Sequence, residues 1–420
     1  MITASKVAPI ASAAPPLLPF EQAVEAALSD LPHPLSVLSV TSAIDEPIVG
    51  VRFRPGAIAY VVVDPRLVAE VLTARRGLFE RDRGFIRAFT PVLGTGLITD
   101  QTSEWVPHRR QVQGALRRSS SRLEAIAAET TAALVDSWSH GEVRDLGATV
   151  GALHWEILVR TVCGSVCDGL ADPSPPSQND VGGLPNAGWR RIRSEVASVP
   201  FCAGTTAGLL DQGAGDELSA RARSDQLTTL LFGGRDTTAS AITWTFIALA
   251  RNPAVQARLR DELHSAAARG ELAAGCLTQL PYLRSVVAES LRLYPPTAFI
   301  TRSPIAPVQL GRFTIPAGAT LILSPWVTQR DPRNVHDPLA FRPERWPGAP
   351  ATPQAGYFPF GAGPRMCVAR QTALTEIAIV VGLVVARSWL TLIGPEPEPM
   401  LSPTLTPSAP VHVRIEYTSD

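Results

Sequence analysis

The run Phe358-Pro359-Phe360-Gly361-Ala362-Gly363-Pro364-Arg365-Met366-Cys367 does most to narrow what this chain can fold into. It is a loop punctuated by glycine and proline that delivers a cysteine to the start of an apolar helical stretch, Val368–Ala386. At a helix start, backbone N–H groups and the positive end of the helix dipole stabilise a thiolate and lower its pKa. The glycines let backbone approach a flat ligand closely, and Arg365 is placed to meet an anionic group. These are the requirements of a thiolate-bound planar cofactor. For a cysteine without such surroundings, a buried structural role is the ordinary reading.

The rest of the chain reads as a mainly helical body. Residues 1–34, rich in Ala, Pro and Leu, form an irregular lead-in, and a single domain spans 35–420. Val49–Phe53 and Ala57–Val63 read as a hairpin turning at Pro55-Gly56. Helical patterns cover Leu67–Arg75, Glu104–Arg117, Ser121–Trp138, Thr149–Val162, Asp225–Arg251, Ala254–Arg269 and Leu280–Leu293. Short β-like runs follow at Val308–Leu310, Phe313–Ile315 and Thr320–Leu323, and the tail Val411–Tyr417 is also β-like. Between Gly164 and Asp216, prolines and glycines leave room for short helices only.

Composition excludes several classes of function. Lys plus Arg and Asp plus Glu number 38 each, so no overall field draws in nucleic acid or an anionic membrane. The five cysteines are odd in number and unevenly spaced, which fits reduced thiols in a cytoplasm. Met1–Phe20 resembles neither a signal peptide nor a membrane anchor, and Ile377–Ala386 is too short to span a bilayer. Cys163 and Cys167 lack the second pair of ligands a zinc site needs. His33, His140, His154, His264, His336 and His412 read as ordinary surface or core residues.

Three further segments stand out. Glu289 and Arg292 share one helix face at i, i+3, which by itself describes a surface pair. Gly233-Gly234-Arg235-Asp236-Thr237-Thr238 places two glycines inside a helical pattern, at a cost of roughly 2 kcal/mol relative to alanine; taken alone, such a pair serves close helix packing. Trp105 and Arg109, at i, i+4, could form a cation–π pair on the surface.

Together these segments resemble the cytochrome P450 family. Phe360, Gly363, Arg365 and Cys367 have the spacing Phe-x-x-Gly-x-Arg-x-Cys of that family's heme loop; Ala369 departs from it, standing where glycine is usual. Glu289-Ser-Leu-Arg292 resembles the Glu-x-x-Arg helix, whose pair is joined by an arginine from a Pro-Glu-Arg segment, here Pro343-Glu344-Arg345. The 233–238 segment resembles the oxygen-binding helix.

The resemblance implies the mainly α P450 fold with a smaller β-rich part, and heme b buried between Asp225–Arg251 and Val368–Ala386. It makes Cys367 the iron ligand and Asp236 with Thr237 the catalytic acid and alcohol pair. Gly233 opens a groove for dioxygen. Trp105, His108, Arg109, Arg302 and Arg365 surround the heme carboxylates, the Trp105 indole N–H among the donors. The implied activity is oxidation of an apolar organic substrate, plausibly a secondary metabolite. Dioxygen and electrons from a ferredoxin and its reductase drive it, since no flavin or iron–sulfur segment is apparent.

The pocket should draw on Gly84–Ile98, parts of Gly164–Asp216, Leu230–Thr237 and Pro296–Thr301, with Phe85, Ile86, Phe89, Phe299 and Ile300 as apolar candidates. A short, glycine-rich 164–216 region implies an open mouth suited to a bulky or carrier-bound substrate. Two other classes share these motifs: a peroxide-driven or radical-coupling heme-thiolate enzyme, and a heme protein that binds a small ligand without turnover.

Overall fold

The structure is a computed structural model that describes residues 14–18, 33–54, 57–74, 77–164, 170–172, 187–198, 202–210, 218–347 and 356–417. The fold class is the expected one, mainly helical with a small β-rich part. The long helix Ala220–Arg251 is its axis. From Leu227 to Leu249 most of its residues are buried, polar as well as apolar, on every side, so its apolar residues do not keep to one face. Ser219 caps it, its hydroxyl accepting from the Ala222 N–H. The helices Leu146–Val162, Pro281–Leu293 and Arg370–Arg387 pack against it, and their apolar faces merge into one core that includes Trp244, Phe246, Leu283, Val380 and Val381.

The β-rich part is built on a five-stranded sheet. In chain order the first eight strands are β1 (Ile48–Arg54), β2 (Ala57–Val62), β3 (Phe79–Glu80), β4 (Val143–Asp145), β5 (Ile300–Pro304), β6 (Val308–Leu310), β7 (Phe313–Ile315) and β8 (Thr320–Leu323). The large sheet has the order β1-β2-β8-β5-β3. β1 and β2 form the expected antiparallel pair; the turn residues Pro55 and Gly56 lie outside the described residues. β6, β7 and β8 coincide with the runs read from the sequence. Part of the lead-in joins this sheet, with Leu18 N–H donating to Gly50 O at 2.7 Å and Gly50 N–H to Pro16 O at 2.7 Å. Near the C-terminus come β9 (Trp389–Ile393), the antiparallel pair β10 (Pro399–Ser402) and β11 (Thr404–Pro407), and β12 (His412–Glu416). β12 is the β-like tail read from the sequence, and it pairs with both β4 and β9.

Two segments differ from the sequence reading. Arg83–Leu93 is a helix despite Pro91, because Asp82 caps its start by accepting from Phe85 N–H and its apolar face packs inward. In the 164–216 region, Ala187–Ala197 is an ordered helix with Trp189, Ile192 and Val196 buried. Arg193 Nη2 donates to Asp225 Oδ1 at 2.7 Å, tying this helix to the long one. A packed helix over the axis overturns the open mouth for these residues; the stretch 173–186 lies outside the described residues. Among the described residues, no helix is long and apolar enough to cross a membrane.

Candidate active site

The cysteine loop is shaped by its backbone. Cys367 N–H donates to Phe360 O at 2.9 Å and Met366 N–H to Gly363 O at 3.1 Å, closing the loop on itself. Gly363 has φ +67, and a Cβ there would stand 2.1 Å from the Leu72 carbonyl oxygen; a side chain is excluded on both counts. The helix begins at Arg370, two residues later than the sequence reading, so Cys367 stands before the first turn.

Cys367 is exposed by surface area, yet burial is the largest influence on its thiol. Both hold if the sulfur opens onto an interior cleft. Burial pushes the thiol up, against the expectation of a lowered pKa, while the Ala369 N–H and the charges of Arg109 and Arg370 pull it down. A helix terminus two residues away is too weak a field to outweigh desolvation. A coordinated metal ion would, because it deprotonates a thiol outright.

Beside the loop, guanidinium groups converge. Trp105, His108 and Arg109 share one face of the helix Trp105–Arg118. Arg109 Nη2 donates to Met366 O at 2.7 Å and Arg365 Nη1 to Asp100 O at 2.9 Å. Arg365 stacks 4.0 Å above the Trp105 ring, and Arg109 lies 5.3 Å from it. The Trp105 indole N–H donates to Leu97 O at 3.2 Å. The ring serves as a plate for the two arginines. His108 Nδ1 stands 3.7 Å from Asp100 Oδ2.

Arg302 reaches the same place from β5. In the antiparallel register, Phe79 faces Pro304 and Glu80 faces Ser303, so the next residue, Arg81, is brought alongside Arg302. No sequence signal marked Arg81, because a two-residue strand has no readable periodicity. Burial lowers Arg81 to about 9, with the charges of Arg302, Arg365 and Arg109 adding to the effect; burial lowers Arg302 to about 10. Among the described residues neither has an ion-pair partner, and Arg81 Nε is buried without a hydrogen bond. Arg81, Arg302, Arg365 and Trp105 line one cleft. Like charges buried together are costly unless an anion joins them, so this cluster fits the carboxylates of a heme.

The long helix carries the second group of candidate residues. Within its buried length, Phe232 to Thr237 are only partly buried. Thr237 Oγ1 donates to Gly233 O at 2.7 Å. A Cβ on Gly233 would make only an ordinary contact with Ile98, whereas one on Gly234 would press on Leu158 at 3.1 Å. Gly234 therefore admits the neighbouring helix, and Gly233 leaves the space beside Ile98 open. Asp236 is paired with Arg235, which also donates to Asp172 at 2.5 Å. Burial pushes Asp236 up, with Arg235 pulling the other way. Phe85 stacks on Phe89 at 4.4 Å, and Phe232 meets Phe89 and Trp189 edge-on at 5.6 and 5.0 Å.

The Glu289 network is assembled as the resemblance implied. Arg292 Nε and Nη2 and Arg345 Nε each donate to the Glu289 carboxylate at 2.9 Å, and Trp346 Nε1 donates at 2.8 Å. It lies in the core and braces the segment leading to the cysteine loop, for Gln329 receives an Arg292 N–H on its carbonyl and holds Phe358 N–H with its side chain.

The Cytochrome P450 family model matches residues 201–413, just over half of the chain. Cyclooctat-9-en-7-ol 5-monooxygenase of Streptomyces melanosporofaciens is 29% identical over 81% of this chain and 82% of its own length; cyclooctatin synthase of the same organism is 28% identical over the same shares. A six-coordinate cytochrome P450 from Thermus thermophilus superposes with a TM-score of 0.69 at 28% identity, over 91% of this chain and 98% of its own. A cyanobacterial P450 with bound retinoic acid shares the fold, with a TM-score of 0.80 at 21% identity over 97% and 100% of the two chains. The chain belongs to the cytochrome P450 family of heme-iron monooxygenases.

Proposed function

We propose that this chain hydroxylates a hydrocarbon-rich secondary metabolite, with Cys367 ligating the iron of heme b and dioxygen as the oxidant. The observation that carries the reading is the convergence of Arg81, Arg109, Arg302 and Arg365 beside the cysteine loop, in a cleft where Arg81 and Arg302 have no acidic partner among the described residues. Arg302 and Arg365, with Arg81, hold the heme carboxylates; Trp105 and His108 line their setting, and Phe360 and Gly363 shape the loop under the ring. When bound, the heme supplies dioxygen activation, tuned by the thiolate.

The chain's own residues do the rest. Phe85, Phe89, Trp189 and Phe232 make an apolar roof that orients the substrate and excludes water. Gly233 keeps this side of the long helix open, and Thr237 presents its hydroxyl there. Asp236, its carboxyl raised by burial, holds and passes a proton when it turns from Arg235. The apolar roof and the two Streptomyces relatives, one named as acting on cyclooctat-9-en-7-ol, support a bulky apolar substrate. Electrons come from a separate ferredoxin and reductase that dock on the face nearest Cys367.

The test is the absorption spectrum of the dithionite-reduced protein under carbon monoxide, repeated on Cys367→Ala. A strongly red-shifted Soret band that vanishes in the variant is the expected result. Well-folded, heme-loaded protein without the band refutes thiolate ligation. Turnover by peroxide alone at the rate of the ferredoxin system would favour a peroxygenase instead.

A further inference from the structure

His154 was unremarkable in the sequence, but it is the place where three helices meet through polar groups. It lies on Leu146–Val162 and is 1% exposed. Its Nδ1 stands 2.5 Å from Glu376 Oε1, on the helix after the cysteine loop, and its Nε2 stands 3.0 Å from the Gly234 carbonyl in the long helix. A Cβ on Gly234 would also press on Leu158 of the same helix, so the two helices run close together here.

Proton accounting restricts the pair. A neutral imidazole carries one N–H, and neither a carbonyl nor an ionised carboxylate can donate. Two short contacts to two acceptors therefore need two protons. Either His154 is an imidazolium beside a carboxylate, or its Nε2–H tautomer accepts from a protonated Glu376. In both cases Nε2–H donates to Gly234 O and the pair is neutral as a whole. Burial works against the imidazolium, but the charge and hydrogen bond of Glu376, the Gly234 carbonyl and the charge of Asp236 outweigh it and raise His154.

A buried ion pair is a weak source of stability, since apolar residues of similar volume often do as well. What apolar residues cannot do is hold a carbonyl. Gly234 is flanked by Gly233 and lies two residues before Asp236, in a stretch weakened by its two glycines.

We propose that His154, oriented by Glu376, is a positioning residue for the oxidation: its Nε2–H clamps the Gly234 carbonyl and fixes the backbone that presents Gly233, Asp236 and Thr237 to the cleft. The inference rests on reading residues 233–237 as the oxygen-side wall. His154 touches neither heme nor substrate and acts through Gly234.

The experiment uses the heme-loaded full chain, its His154→Leu variant and its Glu376→Gln variant. Three quantities are read: the reduced carbon monoxide band, hydrogen exchange of amides 235–239, and the share of consumed electrons released as peroxide. In His154→Leu the band is expected to stay in place, amides 235–239 to exchange about tenfold faster, as for a lost buried hydrogen bond, and the peroxide share to rise. In Glu376→Gln the amide N–H can donate to Nδ1 and leave Nε2–H on the carbonyl, so exchange stays near that of the parent. Should His154→Leu fail to fold, His154→Phe, which fills the space without a donor, is read in its place. Unchanged exchange at 235–239 with the band intact overturns the clamp. So does a loss of protection spread evenly over all helices with no change in peroxide share, which marks mere core packing. A parent protein without the band overturns the heme reading instead, and the exchange comparison still judges the clamp.

Discussion

Replacing Glu289 by glutamine should destabilise the protein far more than the same change at Glu344, one residue from Arg345 in the Pro-Glu-Arg segment. Glu289 is fully buried and its carboxylate accepts from Arg292, Arg345, Trp346 and the Arg342 N–H. Glutamine keeps the shape but loses the charge and one acceptor atom, leaving Arg292, itself 1% exposed, as a buried cation short of a counter-ion. Removing one partner of such a group costs about 3–5 kcal/mol. With an unfolding entropy of roughly 2.1 cal/mol/K per residue over the 420-residue chain, that is a fall in Tm of about 3–6 °C. Glu344 meets Arg258 at the surface, where both side chains are about half exposed, and its loss is worth less than about 1 kcal/mol.

Acidity supplies a second signature. Burial works to raise Glu289, but Arg292, the Arg342 N–H and Trp346 outweigh it and hold its carboxyl below the usual carboxylate range. A depressed folded pKa contributes stability that is fully present above the unfolded pKa and is lost as pH falls through the folded one. The gap between parent and Glu289→Gln should therefore narrow below the ordinary carboxylate range. Scanning calorimetry of both variants across that range checks the reasoning. Equal Tm losses for Glu289→Gln and Glu344→Gln, or a gap that widens on acidification, would refute it.

Three other outcomes follow from the site. Arg81→Gln should stabilise the heme-free protein at neutral pH, because it removes a buried cation whose pKa burial lowers to about 9, yet speed heme loss from the loaded protein; thermal melts and heme transfer to a scavenger globin measure the two, and heme loss unchanged would remove Arg81 from the cofactor site. Gly363→Ala should abolish stable heme loading, since its Cβ would collide with Leu72 O in a conformation already strained by about 1–2 kcal/mol for an L-residue; the Soret-to-protein absorbance ratio reports it, and normal loading would show the loop to be pliable. Arg193→Ala leaves buried Asp225 with Thr95 N–H and hydroxyl as donors, so a loss of about 1–3 kcal/mol and faster exchange in Ala187–Ala197 are expected; exchange confined to its present rate would mean the helix is held by Trp189, Ile192 and Val196 alone.

The motifs with local physics were legible from the residues in order. The cysteine loop, the glycine pair and the Glu-x-x-Arg spacing each depend on a few consecutive positions, and their resemblance to one family carried the fold with them. The runs Val308–Leu310, Phe313–Ile315 and Thr320–Leu323 were readable because β-branched and aromatic residues sit between clear turn signals. Arg83–Leu93 was not readable as a helix, because Pro91 argues against one and the Asp82 cap and inward packing that override it are not periodic features.

What only the tertiary structure decided is which distant groups share a dielectric. Arg81 meets Arg302 through a register across more than 200 residues, which no local pattern records. The Trp105 N–H meets a carbonyl eight residues away, a contact that depends on how the preceding loop folds back. His154 gained a role when Glu376 and Gly234 were brought to its two nitrogens. Amino-acid order sets which charges and hydrogen-bonding groups exist; burial, which is a property of the whole fold, sets what each costs and therefore which partner it must find.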